Sequence, residues 1–156
     1  MTPTILQDVL IADFKEQLND FLLKNAKSER VNLNIYPQNL PAKKGQKDSD
    51  HFPYLIIRIM DGETQEDQGL DKATCKVAFI ISIYDDDDNY QGYKDVMNII
   101  EKIIQRLKTK KLYNKQFELI SPLKWLVHDE DTFPYFFGGI ETNWNMPNIC
   151  MVDTLI

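Results

Sequence analysis

The chain contains two cysteines and two histidines among 156 residues. Cys75 and Cys150 lie far apart and form neither a CxxC nor any other metal-ligand spacing. They read as free thiols of a reducing compartment. His51 and His128 are the only imidazoles, so a zinc site would need carboxylates and a second subunit, and none is expected. No apolar run approaches the roughly 18–20 residues of a membrane span, so no membrane partner is expected. Asp8 sits where a secretion signal would be uncharged, so the N-terminus reads as no signal. A net charge of −6 argues against a dedicated nucleic-acid binder, which needs a positive face. There is no G-x-S-x-G, P-loop, G-x-G-x-x-G or H-E-x-x-H. The expectation is a protein with no catalytic residues, no cofactor and no metal.

What is present is an alternation of helix and strand patterns in a chain long enough to bury a core without disulfides. Leu6, Leu10, Phe14, Leu18 and Leu22 recur every four residues, which predicts a helix over 4–24. Val31, Leu33 and Ile35 alternate with asparagines in a strand over 31–36. A polar loop follows, from about 38 to 50, holding Lys43, Lys44 and Lys47; its composition predicts mobility. A second strand covers 53–60, the acidic stretch Asp61–Lys72 reads as a hairpin connection, and a third strand covers 73–84. That third strand carries the longest clean alternation (Cys75, Val77, Phe79, Ile81, Ile83), so it belongs at the centre of the sheet.

Val96, Ile99, Ile100, Ile103, Ile104 and Leu107 then give the strongest helical stripe, over 90–110. Strands over 112–128 and 135–146 close the series, the first interrupted by Pro122 and the second placing Ile140, Thr142, Trp144 and Met146 on one face. The expected fold is α+β and two-layer: a mostly antiparallel sheet with two helices packed on one face, in the order α-β-β-β-α-β-β. One domain is expected over 1–148, with a tail at 149–156. Its core is expected to centre on Val77, Phe79, Ile81, Ile83, Ile99, Ile103, Trp125 and Ile140.

Asp85-Asp86-Asp87-Asp88 is the most unusual local feature. Several carboxylates suit Mg²⁺ or Ca²⁺, but the spacing of a calcium loop is missing. The preferred reading is a helix entrance, where Asp caps and complements the dipole. The carboxylates of the 61–71 segment are separated from this run by a strand of twelve residues, roughly 35–40 Å, too far to share a site within one subunit. Cys75 falls on a core-facing position, where a thiol is inert. The basic loop lacks interleaved aromatics and reads as solvated. Phe133-Pro134-Tyr135-Phe136-Phe137 holds four aromatics in five residues. A strand buries only alternate positions, so Phe133, Tyr135, Phe136 and Phe137 divide between core and a subunit interface.

An ordered set of segments runs through residues 50–148. It comprises Phe52-Pro53-Tyr54-Leu55-Ile56-Ile57-Arg58, Asp61-Gly62, a strand ending at Tyr84, and Gln91-Gly92-Tyr93-Lys94-Asp95-Val96 leading into the helix. Phe117-Glu118-Leu119, Pro122-Leu123-Lys124-Trp125, Pro134-Tyr135-Phe136-Phe137-Gly138 and Trp144-Asn145-Met146-Pro147 complete it. This set resembles the tail terminator (tail completion) proteins of long-tailed phages and phage-like particles. The resemblance implies a structural virion protein, assembled in the bacterial host cytoplasm, whose α+β subunits form a homo-hexameric ring. Such a ring caps the head-proximal end of the tail tube, ends tube growth and offers the surface that joins the head. The implied partners are copies of itself, the tail tube protein and head-tail connector proteins, with DNA passing through the channel without sequence-specific binding. A connector or other tail protein of the same particle, or a small metal-dependent enzyme using Asp85 to Asp88, are the competing readings.

Overall fold

Helix α1 (Thr2–Gln17) buries Leu6, Leu10 and Phe14 along one stripe. The computed structural model describes residues 2–25, 27, 29–42 and 51–147. The helix stops well short of the expected residue 24. Leu18-Asn19-Asp20 forms a turn, as short polar side chains that compete for backbone hydrogen bonds favour. The chain then enters β1 (Leu22–Lys24), which pairs antiparallel with β2 (Arg30–Asn32) in a small two-stranded sheet. Leu23 is buried there and Leu22 is 52% exposed, so Leu22 leaves the helical stripe it was assigned to.

The expected strand over 31–36 also divides. Its second half is β3 (Asn34–Pro37), which joins β4 (Tyr54–Asp67) in parallel. Strands β5 (Leu70–Tyr84), β6 (Leu112–Tyr113), β7 (Phe117–Val127) and β8 (Tyr135–Met146), with helix α2 (Gly92–Thr109), complete the domain. The main sheet has the order β3-β4-β5-β8-β7-β6, antiparallel except at β3–β4. The fold is α+β, with a mostly antiparallel sheet and β5 in its interior.

The acidic stretch expected as a connection is instead strand. β4 and β5 stay in register to Asp67↔Leu70, and only Gln68-Gly69 turn, both with positive φ (52° and 80°). Two residues of that handedness make the hairpin turn whose twist matches antiparallel strands. One extra residue at Met60, between the pairs Ile59↔Val77 and Asp61↔Lys76, bulges the β4 side of this arm.

Both helices pack on one face. Leu55 and Ile57 of β4, the odd-numbered run Val77 to Ile83 of β5 and Ile140 and Trp144 of β8 are buried against Leu6, Leu10, Phe14, Val96, Ile99 and Ile103. The Phe14 and Phe79 rings meet edge-on at 5.3 Å. Thr142 is buried among them with its hydroxyl satisfied twice: it donates to the Val77 carbonyl (2.7 Å) and accepts from Trp144 Nε1 (2.8 Å). Glycine lets α2 approach β8. A Cβ at Gly138 would fall 2.5 Å from Val96 Cγ1, and one at Gly92 would fall 2.3 Å from the Phe136 ring.

One polar tie crosses this layer. Asp13 of α1, with 9% of its side chain exposed, takes two hydrogen bonds from Arg106 of α2 (3.0 and 2.8 Å) and one from the Tyr113 hydroxyl of β6 (2.8 Å). Burial alone would raise the Asp13 carboxyl, but the bonds from Arg106 and Tyr113 outweigh it and hold it below its ordinary value. Burial and the bond to Asp13 push the Tyr113 hydroxyl well up.

Trp125 departs from the expected core. It is 53% exposed, although its pairing partner Ile140 is buried. At Trp125 β7 is an outer strand, with β8 on one side and no strand on the other among the described residues, while Leu123 and Val127 to either side of it still pack on the core.

Candidate assembly surface

The pairing register fixes what the other face displays. Tyr54, Ile56 and Arg58 of β4 align with Ser82, Ile80 and Ala78 of β5, and these with Phe137, Gly139 and Glu141 of β8. Leu126 and Lys124 of β7 continue the last two rows. No helix of the described residues covers this face.

At one end the face is closed by aromatics. Phe52, Tyr54 and Ile56 are buried beneath Tyr36, Leu40, Tyr84, Tyr135 and Phe137. Phe52 lies 4.9 Å from the Tyr54 ring and 4.7 Å from the Tyr135 ring. Part of this cover comes from the segment expected to be a mobile loop. Leu40 of that segment packs on the cluster, and His51 and Phe52, just beyond it, are buried. Lys43, Lys44 and Lys47, with the rest of 43–50, lie outside the described residues.

Gln38 is anchored most firmly of that segment. Its backbone adopts φ 67° and its N–H donates to the Ile57 carbonyl (3.1 Å). Its side-chain amide then behaves as one more peptide unit of β3. Nε2 donates to the Ile59 carbonyl and Oε1 accepts from the Ile59 N–H, both at 2.9 Å. The Gln38 carbonyl takes Nε of Arg58 at 2.8 Å, and Gln7 of α1 donates both to Gln38 Oε1 (3.0 Å) and to the Ile57 carbonyl (2.8 Å).

In the middle of the face is a trough of about 460 Å³, lined by Arg58, Met60, Ala78, Ile80, Leu126 and Gly139 among others. It exists because Ala78 and Gly139 raise almost no side chain between the walls of β4 and β7. Its rim is apolar and open: Met60 is 53% exposed and Leu126 62%. Lys76 and Glu141 form an ion pair beside it at 2.9 Å. The mutual hydrogen bond holds the Glu141 carboxyl down and the Lys76 ammonium up.

The four aromatics named from sequence are divided by this sheet. Tyr135 and Phe137 lie half-buried on the open face. Phe136 points the other way, against the helix-side core and Gly92. Phe133 lies outside the strand, stacked on Tyr90 at 4.5 Å. Sequence reasoning set Met60 on the strand face opposite Leu55, Ile57 and Ile59 but named neither it nor Leu126 as exposed surface. Their signal was present: an apolar residue out of phase with its strand's buried set.

Two stretches of strand edge carry no partner among the described residues. β6 pairs only with Phe117 and Glu118 of β7, and the Leu119 N–H donates to Lys111, which leaves the outer side of Ile120–Val127 unpaired. β3 and Gln38 cover β4 as far as Ile59, leaving the outer side of the arm beyond Met60 unpaired.

The remaining candidates are accounted for locally. The Asp85, Asp86 and Asp87 carboxylates lie within 4.8 Å of one another. Asp85 accepts from the Asp87 N–H (3.0 Å), and Lys24 Nζ sits 3.8 Å from Asp86 and 3.6 Å from Asp87. The expected capping role is not filled, because α2 begins after Gln91, which makes no side-chain cap. Asp95 is the acidic residue of the first turn, its carboxyl raised by burial and by Asp85. Cys75 is buried, and burial with Asp61 nearby pushes its thiol up, away from nucleophilic character. Cys150 lies outside the described residues. His51 meets the Tyr36 ring with its Nε2 unpartnered, and His128 meets the Phe137 ring and stands 3.8 Å from Glu130; both rings belong to the open-face aromatics, whereas Cys75 lies in the helix-side core. None of the helices described is long and apolar enough to cross a membrane. No protein-family model matches this chain, and no curated protein matches it either.

Proposed function

We propose that this chain is a structural subunit of a phage or phage-like tail. Copies assemble into a six-membered ring that caps the head-proximal end of the tail tube, ends tube growth and presents the surface to which head-tail connectors bind. Two things support this reading. The resemblance spans residues 50–148, which are β4 through β8 and the helix between them. The observation that carries most weight is the open sheet face, with Met60 and Leu126 exposed along a trough and Tyr135 and Phe137 half-buried at one end. Contiguous exposed apolar surface on a small domain marks a site of association.

A ring needs a repeated head-to-tail contact whose rotation divides the circle. A subunit of this length has a radius of gyration of about 15 Å, so six around an axis leave space for a central channel. DNA would pass along that channel without sequence-specific contacts. The test is electron microscopy and light scattering of the protein across concentration, alone and with assembled tail tubes of the same particle. Single rings at one end of each tube are expected. Long tubes of this protein alone would identify a tube subunit, and rings that bind heads but not tube ends a connector. A strict monomer that ignores tube ends overturns the proposal.

A further inference from the structure

The two unpaired edges are complementary in direction, charge and apolar content. We infer that neighbouring copies of this chain join edge to edge, with β7 of one subunit adding antiparallel to the β4 arm of the next. The inference rests on the self-assembly proposed above and names its contact.

Direction comes first. β4, β5, β8 and β7 alternate in sense across the sheet, so β4 of a second copy placed beside β7 continues the alternation. The edges lie at opposite sides of one sheet, which makes the contact heterologous and able to close a ring.

The backbone is suitably disposed. The His128 N–H donates inward to Phe137, so the alternation points the N–H groups of Trp125 and Val127 outward; the ladder with β8 shifts register between Ile120 and Lys124, so the regular free edge of β7 is Lys124 to Val127. Ile59 points outward to Gln38, and the extra residue at Met60 shifts the phase, so Gly62, Thr64 and Glu66 point outward on the arm. Pro122 does not block this edge: its carbonyl faces the sheet and accepts Nδ2 of Asn143 at 2.9 Å.

Charge selects the pairing. Residues 61–71 carry five carboxylates and no base, whereas residues 108–115 carry four lysines and no acid, with Lys124 further along β7. Arm against arm is repelled, and arm against the β6–β7 edge is attracted. Bulges and charges on an edge discourage indiscriminate pairing; opposite charges on the two edges turn that protection into a choice of partner. The exposed apolar side chains agree. Met60 stands at the β4 edge and Leu126 at the β7 edge, both exposed on the open face, and edge-to-edge joining brings them onto one continuous surface.

The test is charge reversal, read by sedimentation up to millimolar concentration with circular dichroism confirming the fold. One variant carries Glu63→Lys and Glu66→Lys, a second Lys111→Glu, Lys115→Glu and Lys124→Glu, and a third all five; every position is exposed. Each one-sided variant is expected to weaken self-association by at least about tenfold, and the five-fold variant to recover it. Hydrogen exchange in the unaltered protein gives a second reading: the amides of Trp125 and Val127, and of Gly62, Thr64 and Glu66, should slow on assembly. Rings that ignore both one-sided reversals and leave these amides fast overturn the edge contact while leaving the ring intact. Association that obeys the reversals in a protein that does not cap tubes keeps the contact and removes the terminator reading. A strict monomer at millimolar concentration overturns the contact.

Discussion

The two faces of the main sheet are built from the same strands and differ in every other respect. On the helix side, large aliphatic residues from α1, α2 and three strands interlock, and the polar groups there are tied by Thr142, Trp144 and the Asp13–Arg106–Tyr113 cluster. On the open side, aromatics close one end, small residues hollow the middle, and charged residues mix with exposed Met60 and Leu126. The first face stabilises the fold. The second has apolar surface that the subunit leaves in water, the kind of surface that the proposed association would remove.

The largest break in this comparison should come from the helix side. Ile103 is fully buried, so Ile103→Ala is expected to cost about 2–5 kcal/mol by denaturant unfolding. A cost near zero would mean that α2 does not form the cover.

The next effect is electrostatic. Asp13→Ala leaves Arg106 and the Tyr113 hydroxyl without their shared acceptor and should cost about 2–3 kcal/mol at neutral pH. Because the folded carboxyl lies below its unfolded value, the unfolded chain takes up this proton first as pH falls. The stability Asp13 supplies is therefore complete above about pH 4 and is lost as pH drops through that value and below. Melts of Asp13→Asn between neutral and acid pH should show a flatter acid limb than the unaltered protein.

Gln38 probes the border between the faces. Gln38→Ala strips the Ile59 N–H and carbonyl of their partners and should cost about 1–3 kcal/mol, with faster exchange at Ile59. The smallest effect on folding belongs to the open face. Leu126→Ser should change stability by less than about 0.5 kcal/mol yet weaken self-association measurably by sedimentation. If it unfolds the subunit instead, the open face is core and the contrast drawn above fails.

How much of this was legible depended on whether period and cover coincided. The β5 alternation and the α2 stripe each meet a packed layer, so pattern and burial agree, with Ile104 alone only partly buried. Leu22 continues a four-residue spacing that the backbone abandons at the Leu18-Asn19-Asp20 turn, and periodicity carries no signal for where polar competition ends a helix. Trp125 obeys a strand alternation yet stands exposed on an outer strand, and a strand's place in the sheet is a tertiary property. The anchoring of Gln38 comes with a positive φ at a glutamine, and the parallel β3–β4 pairing joins residues 20 apart in the chain; composition announces neither. Of the assembly surface, the aromatic excess at Phe133 to Phe137 was visible, but its division between two faces required the register.

The register of β5 on β8 has a consequence for how the chain reaches its native state. β4–β5 and β7–β8 are each joined by short connections, so their ladders close small loops and can form early. The β5–β8 ladder instead joins residues 51 apart at Tyr84↔Tyr135 and 73 apart at Ala73↔Met146. Closing such loops costs entropy before any contact repays it. Helix α2 lies within that loop and packs on both strands, so it shortens the search by bridging the two hairpins. Folding should therefore be limited by the docking of preformed hairpins around α2, with amides at the β5–β8 seam gaining protection last in a pulse-labelling experiment and those of the β4–β5 hairpin first.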